Sequence, residues 1–242
     1  MGKNKIKKFR ENETFGCMVQ PLFEEVFSQD YKLKGYWRRD FFRNENPIVL
    51  ELGCGRGDYT IGLARMYPEK NFIGVDVKGA RMWRGGRTAT DERMKNVGFL
   101  RTRIEFINSL FAEGEVDEVW ITFPDPQLKR NRIKKRLTAP LFLARYARFL
   151  KEGGVIHLKT DSSHLHYYTK SVIEANRLSE YIACDDIYAR PQGLPEEVLA
   201  LQTTYEKRFL SEGKAITYLQ FGLNGVEEFV EPVFEPDEHM AE

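Results

Sequence analysis

From Ile48 onward, short apolar runs alternate with stretches of helical spacing, and few folds accept that rhythm. Ile48–Leu52 ends in glycines and reads as a buried strand. A helix is expected over Asp58–Tyr67, stopped by Pro68. The series continues with a strand over Phe72–Asp76, a helix over Gly79–Met94, a strand over Val97–Leu100 and a helix over Arg103–Phe111. A strand over Val116–Phe123, a helix over Thr138–Leu150, a strand over Val155–Leu158 and a helix over Ser162–Leu178 follow. Two further strands are expected near Tyr181–Ile187 and Ala215–Gly222. Strands separated by single helices indicate βαβ units, hence an α/β fold on a mostly parallel sheet. Such sheets bind ligands at the carboxyl ends of their strands. That singles out Glu51–Gly57, Asp76, Leu100–Arg103, Phe123–Lys129 and Lys159–Asp161.

Composition narrows the class. With 242 residues, 42% hydrophobic and 13% aromatic, the chain can bury a core, which excludes a disordered protein. It divides into a basic N-terminal arm with a lead-in helix (1–45), one main domain (46–226) and an acidic tail (227–242). The opening stretch to Thr14 reads as a mobile arm. No apolar stretch reaches the ~18 residues of a membrane helix, and no apolar segment follows the basic start as in a signal peptide. Cys17, Cys54 and Cys184 are odd in number and far apart, which speaks against disulfides and a metal site, and for a reducing cytoplasm. A net charge of +1 conceals uneven blocks. Lys129, Arg130, Arg132, Lys134, Lys135 and Arg136 follow one another with no acid between them, whereas the last residues are acidic. That pattern suits a polyanion met on one face.

Glu51-Leu52-Gly53-Cys54-Gly55-Arg56-Gly57-Asp58 leaves the first strand of the alternating series and opens a helix. The dinucleotide fingerprint GxGxxG needs a third glycine where this chain has Asp58. Glu51 stands just before the glycines, where a pyrophosphate would be repelled and a cation welcomed. Asp76 ends the next strand, placed to accept ribose hydroxyls. Together these favour S-adenosylmethionine over a nicotinamide cofactor. At the fourth strand end, Pro124 and Pro126 hold the backbone extended around Asp125. A carboxylate fixed there is placed to grip the edge of a nucleobase, and the basic run after it to meet phosphates. Further basic candidates are the arm Lys3–Arg10 and Arg81, Arg84 and Arg87, which share one side of a helix.

At these motifs the sequence resembles the bacterial tRNA (guanine-N7-)-methyltransferases. The resemblance runs from about Asn46 to Gly222 and rests on VLELGCGRGDYT (Val49–Thr60), FIGVDVKGARM (Phe72–Met82), FPDPQLKRNRIKKRL (Phe123–Leu137), HLKTD (His157–Asp161) and the Thr-x-Tyr-Glu segment Thr203–Glu206. It implies a class I S-adenosylmethionine-dependent methyltransferase fold, Rossmann-like, with a mostly parallel seven-stranded sheet and helices on both faces. It implies methylation of guanine N7 at position 46, in the variable loop of tRNA, by a monomer or homodimer. Carried over, Glu51, Gly53, Gly55, Gly57, Asp76, Arg103 and Asp125 would hold the cofactor, with Asp125 also at the catalytic centre. Lys129, Asp161, Thr203 and Glu206 would contact substrate, and Arg130, Arg132, Lys134, Lys135 and Arg136 the RNA backbone. The chain departs from the family in four places, one of them Asp76, where the family often has Glu. Gln127-Leu128 replaces Trp-Pro, Arg132-Ile133 replaces a His pair, and Arg103 stands where an acid or Asn usually meets the adenine.

Guanine N7 has an in-plane lone pair and no proton, so its attack on a sulfonium methyl needs no general base. Asp125, Asp161 and Glu206 are therefore expected to orient the base. The alternatives are another RNA or small-molecule methyltransferase, or a non-catalytic RNA-binding protein on the same fold. Amino methylation commonly uses a D/N-P-P-aromatic motif, and Gln127 after Pro126 counts against it.

Overall fold

The computed structural model describes residues 2–226 and 228–233. The acidic tail expected over 227–242 lies outside these residues except for 228–233. In chain order the elements begin with α1 (Gly2–Asn12), β1 (Met18–Val19), α2 (Glu24–Phe27), a π-helical turn at Trp37–Phe42 and β2 (Ile48–Leu52). Next come α3 (Asp58–Met66), β3 (Asn71–Asp76), α4 (Gly79–Asp91), β4 (Val97–Arg101), a 3₁₀ turn (Ile104–Ser109) and β5 (Val116–Thr122). A 3₁₀ turn (Arg130–Lys135), α5 (Pro140–Tyr146), β6 (Leu150–Thr160), α6 (Ser163–Ala175) and β7 (Ser179–Cys184) lead to α7 (Glu196–Ala200), α8 (Thr204–Ser211) and β8 (Thr217–Gly222).

The strands form one sheet in the order β1-β4-β3-β2-β5-β6-β8-β7. Only β8 runs antiparallel to its neighbours. The order reverses at β2, whose neighbours are β3 and β5. Its carboxyl end is therefore the switch point where such sheets open a crevice. Strand side chains alternate between two apolar layers. Ile48, Leu50 and Leu52 pack with Leu143, Tyr168 and Val172 on one face. Val49 joins Tyr59, Met82, Phe99 and Trp120 on the other. The same alternation sends Glu51 to the Val49 face, under the first turn of α3.

Three expectations change. The sheet has eight strands rather than seven, because β1 adds a two-residue parallel edge to β4. The segment Arg103–Phe111 contains a 3₁₀ turn, not an α-helix. The basic start is not a mobile arm: it is helix α1, docked on α4. Asn12 Nδ2 donates to the Gly79 carbonyl at 2.8 Å and Trp83 Nε1 to Glu11 at 2.6 Å. The Arg101 guanidinium lies 4.6 Å from the Phe9 ring centre. Among the described residues no helix is long and apolar enough to cross a membrane.

Candidate active site

The glycine loop after β2 adopts left-handed backbone at Gly53 (φ 79°), Gly55 (φ 55°) and Gly57 (φ 73°). Gly57 also lies so close to Phe99 that an added Cβ would come within 2.5 Å of the ring, so no other residue fits. Above Gly55 there is open space, with only the Gly53 carbonyl within 4 Å of a Cβ position. Asp76 braces the loop from β3: Gly55 N–H donates to one carboxylate oxygen at 2.9 Å and Lys78 N–H to the other at 2.7 Å.

Glu51 lies beneath the loop, only 3% exposed. Thr60 N–H donates to Oε2 at 2.8 Å, joined there by the Thr60 hydroxyl, and Thr122 Oγ1 donates to Oε1 at 2.6 Å. Burial outweighs these bonds and pushes the carboxyl up to about 7. The folded state thus favours the neutral acid, and that advantage is complete below pH 4.5 and lost as pH rises through about 7. Glu51→Gln, which keeps the shape and cannot ionise, should gain about 2.5 kcal/mol relative to wild type between pH 5 and pH 8. Urea unfolding of both proteins at the two pH values measures it; parallel pH profiles would contradict it.

Asp125 is exposed, in the loop that leaves β5. Its Oδ1 accepts the Gln127 N–H at 3.0 Å. Phe123 (φ 47°) and Gln127 (φ 49°) flank it in the left-handed region, which neither side chain favours. Strain on both sides of one exposed carboxylate is characteristic of a functional loop. Phe123 N–H donates to the Lys159 carbonyl at 2.8 Å, tying the ends of β5 and β6 together. Asp161 leaves the neighbouring strand end and meets Lys214 Nζ at 3.4 Å. Lys129, Arg130, Arg132, Lys134 and Lys135 are exposed. Arg103 is exposed as well and pairs with Glu105 at 2.9 Å, its guanidinium turned toward Phe106.

Two carried-over assignments do not match the geometry. Arg136 cannot meet an RNA backbone, being 1% exposed and bonded inside the protein. Glu206 is fully buried and engaged within the protein. Thr203 and Glu206 instead form a capping box on α8: Thr203 Oγ1 accepts the Glu206 N–H at 3.0 Å, and Glu206 Oε2 accepts the Thr203 N–H at 3.3 Å. Glu206 Oε1 meets Lys159 Nζ at 2.7 Å and accepts the Tyr188 hydroxyl at 2.8 Å. Lys159, also fully buried, donates to the carbonyls of Val198 at 2.6 Å and Leu201 at 2.9 Å. This buried pair bolts α7 and α8 to the end of β6. Thr204 in turn touches the glycine-loop flank, accepting from Arg56 at 3.3 Å and donating to Asp58 at 3.1 Å. The spacing Thr-x-x-Glu is itself a helix-start signal, and it marks this cap in the sequence.

Among the described residues there is no group of three or more His, Cys, Asp or Glu that could hold a metal ion. His157 stacks on Trp120, ring centres 3.9 Å apart, and bonds the Tyr218 hydroxyl at 2.8 Å.

Comparison with known proteins places this arrangement. A family described as "Putative methyltransferase" matches residues 45–219. A protein of Christiangramia forsetii named tRNA (guanine-N(7)-)-methyltransferase is 51% identical over 90% of this chain and 97% of its own length. One of Porphyromonas gingivalis with the same name is 50% identical over 95% of each chain. Among solved structures, a 30S ribosomal A1408 methyltransferase from an uncultured bacterium has a TM-score of 0.53 at 20% identity, over 74% of this chain and 89% of that one. The 16S rRNA methyltransferase KamB reaches 0.53 at 18%, over 85% and 96%. These two show the shared class I methyltransferase fold.

Proposed function

The chain belongs to the tRNA (guanine-N(7)-)-methyltransferase family, and from that premise we propose that it transfers a methyl group from S-adenosylmethionine to N7 of guanine 46 in the variable loop of tRNA. The observation that carries the reading is the 50% identity, over 95% of both chains, to a relative of that name. The exposed, strain-flanked Asp125 beside the glycine loop supports it.

The residues fit the methyl donor. The space above Gly55 admits a ligand close to the backbone, and Asp76 stands at the strand end with one carboxylate oxygen on the Gly55 N–H and the other on the Lys78 N–H. Glu51, whose carboxyl burial pushes up to about 7, would be favoured as its anion by a cation nearby. Bound there, S-adenosylmethionine supplies an electrophilic methyl on a sulfonium. Its methyl would pass directly to the lone pair of guanine N7, the C–S bonding pair going to sulfur. No proton leaves N7, so the protein supplies position rather than a base. Asp125 and Asp161, on adjacent strand ends, accept from guanine N1–H and the 2-amino group and turn N7 toward the methyl. Thr203 and Glu206 act on the substrate through the placement of α8.

The polyanion meets the exposed run Lys129, Arg130, Arg132, Lys134 and Lys135. Lys8, Arg56, Arg81 and Arg84 also line a groove with Trp83 and Tyr205. Transfer of labelled methyl from S-adenosylmethionine to unmodified tRNA transcripts tests the reading. Affinity for tRNA should fall steeply with salt, and the log–log slope should drop by roughly one for each phosphate-contacting lysine removed. A flat salt response would contradict this surface. Absence of labelled RNA, with the methyl donor bound, would overturn the substrate.

A further inference from the structure

The basic run after Asp125 contains one cation that does not face solvent. Arg136 is 1% exposed, whereas Arg130, Arg132, Lys134 and Lys135 are exposed. Its guanidinium reaches back across the loop. Nε donates to the Pro126 carbonyl at 3.0 Å and Nη2 to the Gln127 carbonyl at 3.3 Å. Nη2 also lies 2.7 Å from His164 Nε2, in the first turn of α6. The guanidinium carbon sits 4.1 Å from the centre of the Tyr168 ring, and the Tyr168 hydroxyl donates to Glu231 at 2.6 Å. Every one of these contacts is internal. A buried guanidinium retained among carbonyls, an imidazole and an aromatic face costs desolvation, so it must be repaid by the geometry it enforces.

That geometry is the Asp125 loop. Pro124 and Pro126 have no N–H to anchor it, and Gln127 is held at φ 49°. The two carbonyls gripped by Arg136 are those of the two residues that follow Asp125. We propose that Arg136 is a positioning residue for methyl transfer: its planar fork, seated on Tyr168 and His164, fixes the strained loop and so aims the Asp125 carboxylate. It touches neither RNA nor methyl donor. The inference rests on the methyltransferase reading above.

Lysine is a single point donor on a flexible stem and cannot reproduce the fork. Wild type, Arg136→Lys, Arg136→Ala and His164→Ala would be assayed together with labelled S-adenosylmethionine and tRNA transcript. Hydrogen exchange over residues 123–129 would be followed in each protein. The expected result is a kcat lowered by about 10²-fold in Arg136→Ala and less in Arg136→Lys, with KM for tRNA unchanged. Exchange over 123–129 should rise in both variants, and millimolar guanidinium should restore part of the Arg136→Ala activity. Lys134→Ala, an exposed neighbour, should raise KM for tRNA instead. A raised KM with intact kcat in Arg136→Lys would make it an RNA contact and overturn the proposal. Unchanged kcat and unchanged exchange would do the same. Should Arg136→Ala fail to fold, the Lys and His164→Ala variants decide by the same exchange and kcat readouts. An inactive wild type would instead overturn the methyltransferase reading, leaving the exchange result to judge the positioning of the loop.

Discussion

Asp125→Ala lowers kcat for methyl transfer by about 10²-fold or more while leaving the thermal midpoint close to wild type. The expectation follows from where the carboxylate sits. It is exposed and makes one bond, to the Gln127 N–H, so folding depends on it little. The surrounding fold nevertheless spends strain at Phe123 and Gln127 to present it. Guanine offers adjacent N1–H and amino donors on one edge, and a carboxylate can accept both. Asp125→Asn keeps the size but replaces one acceptor by a donor, so it should fall between alanine and wild type. Single-turnover assays at saturating tRNA separate this from binding. A variant that keeps near-normal kcat would remove Asp125 from the centre of the mechanism.

Glu206→Ala acts on stability instead, with an expected loss of about 3–5 kcal/mol. The partners Glu206 and Lys159 have no exposure to water. Burial pulls Lys159 down, and the Glu206 carboxylate holds it up. Without that carboxylate the ammonium keeps two carbonyl acceptors, from Val198 and Leu201, and no countercharge. Replacing both partners, Lys159→Met with Glu206→Leu, should recover part of the loss: neither charge is then stranded, although the Val198 and Leu201 carbonyls, the Thr203 N–H and the Tyr188 hydroxyl lose a partner. Urea unfolding of the two singles and the double variant forms the cycle. Additive effects would show that the pair is not coupled. A loss in Glu206→Ala below about 1 kcal/mol would show that the site is wetter than its burial indicates.

These two cases mark what the sequence discloses and what it conceals. The central strands were legible because β2, β3 and β4 are short apolar runs bounded by glycine or polar helix starts, and their order leads straight to the switch point at Glu51. Asp125 was legible because two prolines isolate it at a strand end. Helix α1 was not: its lysines gave it the composition of a loose arm, and its order comes from long-range contacts of Phe9, Glu11 and Asn12 with Arg101, Trp83 and Gly79. The burial of Arg136 and Lys159 is hidden in the sequence for one physical reason. A charge in a polar stretch looks like surface until tertiary packing supplies carbonyls and a counter-ion around it. At Glu206 the Thr-x-x-Glu spacing already describes the helix cap that the structure shows.

The central claim is methyl transfer to guanine N7 of tRNA, and the atom is its most exposed part. Unmodified tRNA transcripts would be incubated with the protein and labelled S-adenosylmethionine, then cleaved with aniline, which breaks the chain at 7-methylguanosine. The account predicts one cleavage in the variable loop, absent when guanine 46 is replaced and nearly absent with Asp125→Ala. Label in the RNA without cleavage, or cleavage that survives loss of that guanine, would contradict it.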